Sequence, residues 1–215
     1  MHLKRQKTPK KWPVKRKGTT YVVRPSFNLN HGVPILIVLR DILKLAQNRK
    51  EVKKAMNSKN VLLNNKPIYD EKHSVLLFDV ISIPISKENY RVELSENGKF
   101  KVEKIKDSET NKKTSKIINK KVLKGKKTQL NLSDGRNFLS DIKCKVNDSV
   151  LINLKEGKIE KCLPFKEKVN TFVFEGKHAG KKGIVSKINQ KDKIAELSVN
   201  KSKINVLIKQ LMVVE

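Results

Sequence analysis

The chain has 215 residues, of which 49 are Lys or Arg and 21 are Asp or Glu, giving a formal net charge of +28 and a pI of about 10.1. Apolar residues make up 37% and aromatics 5%, thin for one large core, so several small modules supported by a partner are expected. The longest apolar run, Val33 to Leu39, is far short of a membrane span, and no signal-peptide pattern is visible, so a cytoplasmic protein without a membrane partner is expected.

The first forty residues hold ten Lys or Arg and no acid before Asp41. An ordinary soluble surface intersperses both signs. A one-sign segment selects a polyanion, because every phosphate it neutralises releases condensed counterions. Pro9, Pro13, Gly18 and Pro25 break up residues 1–32, and only Tyr21-Val22-Val23 has strand character. The segment reads as an extended basic arm that orders against its partner. Lys4, Arg5, Lys7, Lys10, Lys11, Arg16 and Arg24 are its candidate phosphate contacts. Trp12 is either a wedge against a base or sugar, or an anchor on the arm's own protein. Of the 49 basic residues only seven are Arg. Lys gives point charges rather than the planar forks that read guanine edges, so backbone recognition is favoured over base readout.

At Pro34 the pattern changes. Ile35, Leu36, Leu39, Ile42, Leu43 and Ala46 fall at helical spacing, and Pro34 suits the first turn. Asn48 with Glu51 three residues on reads as the capping box of a second helix, whose stripe is Val52, Ala55 and Met56. Arg40, Lys44, Asn48, Arg49, Lys50, Lys53 and Lys54 are the candidate RNA contacts of this helix pair, aided by free N–H groups at the second helix N-terminus. Val61–Lys66 reads as a strand entering an Asn64-Asn65 turn, and Val80–Ile83 as a strand that Pro84 ends.

Residues 87–164 read as β structure. Tyr90–Leu94 and Phe100–Ile105 alternate around Asn97-Gly98, and Asp134-Gly135 marks a turn followed by Arg136, a candidate for the polyanion or a nearby carboxylate. Residues 106–127, rich in Lys, read as a long exposed hairpin or loop. Glycines 176, 180 and 183 precede a hydrophobic strand, with Lys177, His178, Lys181 and Lys182 between them as further candidate contacts. Cys144 and Cys162 match no metal-ligand spacing and read as reduced thiols. His2, His31, His73 and His178 lie far apart, and Asp79 and Asp148 read as turn residues, so no catalytic site, metal or cofactor is expected.

Three resemblances follow from these residues. LRDILKLAQNRKEVKKA, NVLLNNKPI and LLFDVISI resemble the small RNA-binding module first seen in bacterial small-subunit ribosomal protein four. EGKHAGKKGIV resembles the KOW motif. Taken in order with HLKR, TPKKWP, VVRPSFN and LNLSDGRN, the whole chain resembles the archaeal and eukaryotic small-subunit ribosomal protein four family, the four-e type, and the absence of longer extensions favours an archaeal source. The family's usual glycines are replaced at Asn65, at Phe78 before Asp79, and at Asn147 before Asp148. The resemblance implies an α+β protein of four parts: a basic arm (1–32), the small RNA-binding module (33–86), a central β-barrel-like domain (87–164) and a KOW-type small β-barrel (165–215). It implies a non-enzymatic constituent of the small ribosomal subunit that binds its rRNA and neighbouring ribosomal proteins. No small-molecule substrate is implied. The alternatives are an accessory module of an RNA-modifying enzyme, for which no catalytic domain has room, and a DNA-compacting or transcription-elongation KOW protein.

Overall fold

The structure, a computed structural model, describes residues 2–124, 127–140, 142–189, 191–199 and 202–214. It is mostly β with few helices. The chain divides into two compact units, Met1–Ser95 with Lys99–Asn111, and Glu96–Gly98 with Lys112–Glu215.

In the first unit β1 (Leu3–Lys4) pairs with β2 (Tyr21–Val22), and β3 (Gly32–Pro34) leads into α1 (Ile35–Ile37). The helix continues as a π-helical stretch, Val38–Ile42, and stops where Lys44 turns to φ 55°. It is shorter than the periodicity predicts. Pro34 is not in its first turn: it closes β3, opposite Ser74. Ile35 to Val38 are all fully buried, so the helix is apolar around its circumference and lies inside the unit rather than on it. The second helix, α2 (Arg49–Asn57), starts at Asn48, whose side-chain oxygen accepts from Glu51 N at 3.0 Å. The Glu51 carboxylate reaches back to Asn48 Nδ2 and Gln47 N, while Val52 and Met56 are fully buried.

A five-stranded antiparallel sheet completes the unit, in the order β5 (Lys66–Pro67), β4 (Leu62–Leu63), β7 (Val80–Ile83), β8 (Glu88–Leu94), β9 (Phe100–Ile105), with β6 (Ser74–Leu76) pairing β3. Asn64 and Asn65 both take positive φ, as a two-residue hairpin turn of this hand requires. Phe78 does so too, at φ 59°, which is costly for an aromatic residue. Its N–H bonds Val92 O at 2.8 Å, and its neighbour Asp79 is held by Asn64 Nδ2 at 2.8 Å and Leu76 N at 2.7 Å. The left-handed backbone at Phe78 is kept by the surrounding hydrogen bonds.

Residues 1–32 are not the extended arm that composition predicts. Trp12 is 3% exposed, its indole N–H donates to Gly32 O at 3.0 Å, and Phe100 N donates to Lys11 O at 2.8 Å. Leu3 is buried as well, and Ser26 bonds Lys72 O. One large indole and a few backbone hydrogen bonds are enough to lay a polar segment on the unit, an effect that averaging over composition conceals.

The second unit has two five-stranded antiparallel sheets. The first runs in the order β12 (Asn137–Leu139), β11 (Thr128–Leu132), β10 (Lys112–Val122), β13 (Ser149–Asn153), β14 (Lys158–Leu163) around Ile117, Leu130, Val150 and Ile152. Half of the basic stretch expected as an exposed hairpin or loop is thus the central strand of a sheet: its far end, exposed from Ile118 to Val122, does pair with β11 as a hairpin, while its start is internal. The reason is that two of its lysines are internal: Lys113 pairs with Asp134 at 2.8 Å, and Lys116, 2% exposed, donates to Ile208 O at 2.6 Å. The second sheet runs in the order β18 (Ser202–Leu207), β17 (Ile194–Val199), β16 (Lys182–Asn189), β15 (Asn170–Val173), β19 (Leu211–Val213) around Val173, Val185, Leu197 and Leu211. Gly183 has its reason here: a Cβ would lie 2.6 Å from Val199 Cγ2 and 2.7 Å from Ser198 O.

Trp12→Ala should lower stability by about 3 kcal/mol, as for a buried aromatic truncated in place. Trypsin should then cleave after Lys10, Lys11 and Arg16 before the rest of the first unit. Unchanged stability and cleavage would show that the indole does not anchor the segment.

Candidate nucleic-acid interface

The candidate cations fall into two groups, those held by the protein and those left facing solvent. Arg5 belongs to the first. Its guanidinium donates to Thr19 O at 2.6 Å, Lys15 O at 2.7 Å and Thr19 Oγ1 at 2.7 Å, so it closes the 15–19 loop rather than standing free as a phosphate contact. Lys11 is half-buried. Lys4, Lys7, Lys10, Arg16 and Arg24 are exposed, with no carboxylate partner among the described residues.

On the helix pair, Arg40 is paired with its neighbour Asp41 at 2.9 Å, which together raises the guanidinium pKa further. Arg49 grips Glu71 through Nε at 2.8 Å and also through Nη2. Lys53 lies 3.6 Å from the other oxygen of the same carboxylate. Glu71 is 3% exposed, and the Arg49 hydrogen bond holds its carboxyl below the usual range. The Asn48 side-chain oxygen caps Glu51 N at the α2 N-terminus, and the Glu51 carboxylate accepts from Asn48 Nδ2 and Gln47 N, which places an acid beside that end of the helix. Lys50 and Lys54 are exposed and without a carboxylate partner among the described residues, as is Lys44 on its left-handed turn.

In the second unit Arg136 has a carboxylate nearby, but a weak one: its Nε is 3.8 Å from Asp134, whose oxygen is taken by Lys113 at 2.8 Å. Asp134 also accepts from Arg136 N at 3.1 Å, which makes it the organiser of the turn. Lys177 is exposed, and His178 and Lys181 are half-buried. Lys182 is exposed with its ammonium 6.0 Å over the Phe172 ring. Gly176 and Gly180 are left-handed at φ 91° and 93°, and a Cβ on Gly176 would lie 2.8 Å from the Gln210 side chain.

Sequence reasoning missed Glu71, Lys113 and Lys116. Nothing in YDEKH marks Glu71 as buried, and a lysine in a basic run carries no sign of lying inside a sheet. Asp79 and Asp148 are turn residues in the structure: Asp148 accepts from Lys145 N at 2.8 Å and Phe165 N at 2.9 Å. Among the described residues no group of three or more His, Cys, Asp or Glu could hold a metal ion, and no helix is long and apolar enough to cross a membrane. The described residues offer cations on folded surfaces.

The comparisons with known proteins agree with this arrangement. The model described as "Ribosomal family S4e" matches residues 86–159, and that of the RS4NT (NUC023) domain matches residues 1–27. The small ribosomal subunit protein eS4 of Methanothermobacter thermautotrophicus is 39% identical over 191 residues, covering 87% of this chain and 79% of that one. The chain belongs to the ribosomal S4e family. The Nanoarchaeum equitans eS4 protein is 38% identical over 195 residues, covering 89% of this chain and 83% of that one. The crystal structure of the 30S ribosomal protein S4e from Thermoplasma acidophilum superposes with a TM-score of 0.74 at 25% identity, over 86% of this chain and 95% of that one. This is a family of ribosomal proteins and not of enzymes, which disfavours both alternatives, the RNA-modifying accessory module and the DNA-compacting protein.

Glu71→Gln should cost roughly 2 kcal/mol at pH 7, the worth of a charge-assisted hydrogen bond. Because the Glu71 carboxyl is held low in the folded state, its contribution is present above the unfolded value of about 4.3 and is lost as pH falls through the folded one. Chemical denaturation of parent and variant should therefore converge once the pH falls below the lowered folded value of Glu71. RNA affinity should rise slightly, since Arg49 and Lys53 are released. A constant gap down to the lowest pH would show that Glu71 acts by packing rather than by charge.

Proposed function

We propose that the chain is a structural constituent of the small ribosomal subunit in the cytoplasm, binding small-subunit rRNA largely through phosphate contacts and touching neighbouring ribosomal proteins. The observation that carries the binding mode is the set of exposed cations without a carboxylate partner: Lys4, Lys7, Lys10, Arg16, Lys50 and Lys54 in the first unit. Family membership supports the setting, since relatives that span most of the chain are small-subunit proteins. In this reading residues 33–86 are the small RNA-binding module and 165–215 a KOW-type β-barrel. The KOW reading is supported by the left-handed Gly176 and Gly180, by the close approach at Gly183, and by β19 returning to pair with β15. The basic segment 1–32 belongs to the interface as a folded surface rather than a free arm.

The measurement is affinity for a small-subunit rRNA fragment against salt. About six phosphate contacts should give a log–log slope near −4 to −5. Lys50→Glu with Lys54→Glu should reduce its magnitude by about 2 and leave the thermal midpoint within a few degrees. A nearly flat slope would sink the phosphate reading.

A further inference from the structure

A cleft of about 640 Å³ opens on the second unit, within the size range of small-ligand sites of roughly 300–1,000 Å³. Its walls come from the turn before β13, the segment after β14, the end of β16, the β16–β17 turn and the segment between β18 and β19. We propose that this cleft holds one unstacked nucleotide of a single-stranded stretch of rRNA, the base against Phe165, Ile188 and Leu207 and its phosphate at Lys145, Lys193 and Lys209. This rests on the rRNA-binding reading above and deepens it.

Three observations carry the assignment. The lining is mixed: apolar surface from Val146, 46% exposed, and Leu207, 37% exposed, lies beside three exposed lysines. Singly exposed apolar residues are ordinary, but here they converge in one concavity, and a base offers a flat face to them. The lysines have no carboxylate partner among the described residues, although two acids line the cleft. Asp148 is turned to the backbone N–H groups of Lys145 and Phe165, and Asp192 is bonded by Asn189 Nδ2. The ammonium groups are thus left for an external anion. Behind the wall, Lys116 donates to the carbonyl of Ile208, itself a lining residue, at 2.6 Å. Burial lowers its pKa to about 8, so at neutral pH it is still mostly charged, and no acid compensates it. A phosphate in the cleft would supply the missing countercharge. A purely apolar occupant, such as a side chain from a protein neighbour, would leave the ammonium groups of Lys145, Lys193 and Lys209 without an anion.

The test uses the full chain with labelled Ile, Leu and Val methyl groups. It is titrated in turn with a pentauridylate, with tripolyphosphate and with a small-subunit rRNA fragment. The pentauridylate and the fragment should shift the methyl signals of Ile188, Leu207 and Ile208 to saturation, and tripolyphosphate should not reproduce those shifts. Leu207→Glu, and separately Lys193→Glu with Lys209→Glu, should each weaken pentauridylate binding by about tenfold, within the range of one lost base stack. All three positions are exposed, so the fold should survive, as unchanged methyl signals from Leu130, Val173 and Val185 in the cores of the second unit would show. If the fragment binds with its full salt dependence while the cleft methyls stay still, the cleft assignment fails and the rRNA reading stands. If the fragment does not bind at all, both fail. Equal shifts with tripolyphosphate would make the cleft a site for anions alone and overturn the base. Crosslinks in assembled subunits that join Lys193 or Lys209 to another protein instead of RNA would overturn it as well.

Discussion

The structure depends on where its few carboxylates go. With 49 cations against 21 acids, a chain that scattered its acids over the surface would still be strongly basic, but its interior lysines and arginines would have nothing to hold them. Instead several acids are buried and used internally. Glu71 ties Arg49 and Lys53 of α2 to the loop before β6. Asp134 neutralises Lys113 in the middle of a sheet, where an unpaired ammonium would be costly. Asp79 and Asp148 accept backbone N–H groups at turns and so replace ladder hydrogen bonds that the chain cannot make there. The outward consequence is a surface short of negative charge. Internal tethering and an uncompensated basic surface are two sides of one allocation of acids.

The same turns carry backbone strain. Asn64, Asn65, Phe78 and Asn147 are all left-handed. Asn accepts that conformation at modest cost because its short side chain bonds locally, as Asn64 does to Val80 N and Asp79. Phe78 has no such option. Its conformation is held from outside, by Val92 O and by the neighbouring Asp79 network, and its ring is buried. Residues other than glycine thus hold the left-handed backbone at these turns.

Much of this was legible in the amino acids. Asn48 with Glu51 marked the start of α2, and Asn64-Asn65 marked the hairpin, because caps and tight turns are decided by residues close in sequence. The resemblance carried family and fold class together. What was not legible depends on partners far along the chain. Trp12 meets Gly32, Lys113 meets Asp134, and Lys116 meets Ile208, 92 residues away. A lysine-rich stretch looks solvated until its acceptors are known, so β10 read as part of an exposed hairpin or loop, and its internal half was missed. Arg5 read as a phosphate contact for the same reason: its acceptors are carbonyls, which every sequence has and none displays. Among the candidate contacts, local charge identified the basic surfaces, and only the fold separated cations held by the protein from cations left exposed.

The central claim is that the folded chain carries surface cations it does not compensate, so it repels itself until a polyanion binds. The direct measurement is the thermal midpoint of the RNA-free chain in KCl from about 0.02 M to about 0.3 M, a range over which the Debye length falls from roughly 20 Å to below 10 Å. Screening of net repulsion predicts a midpoint that rises with salt. A midpoint that falls would mean that screened ion pairs outweigh repulsion, and would contradict the account.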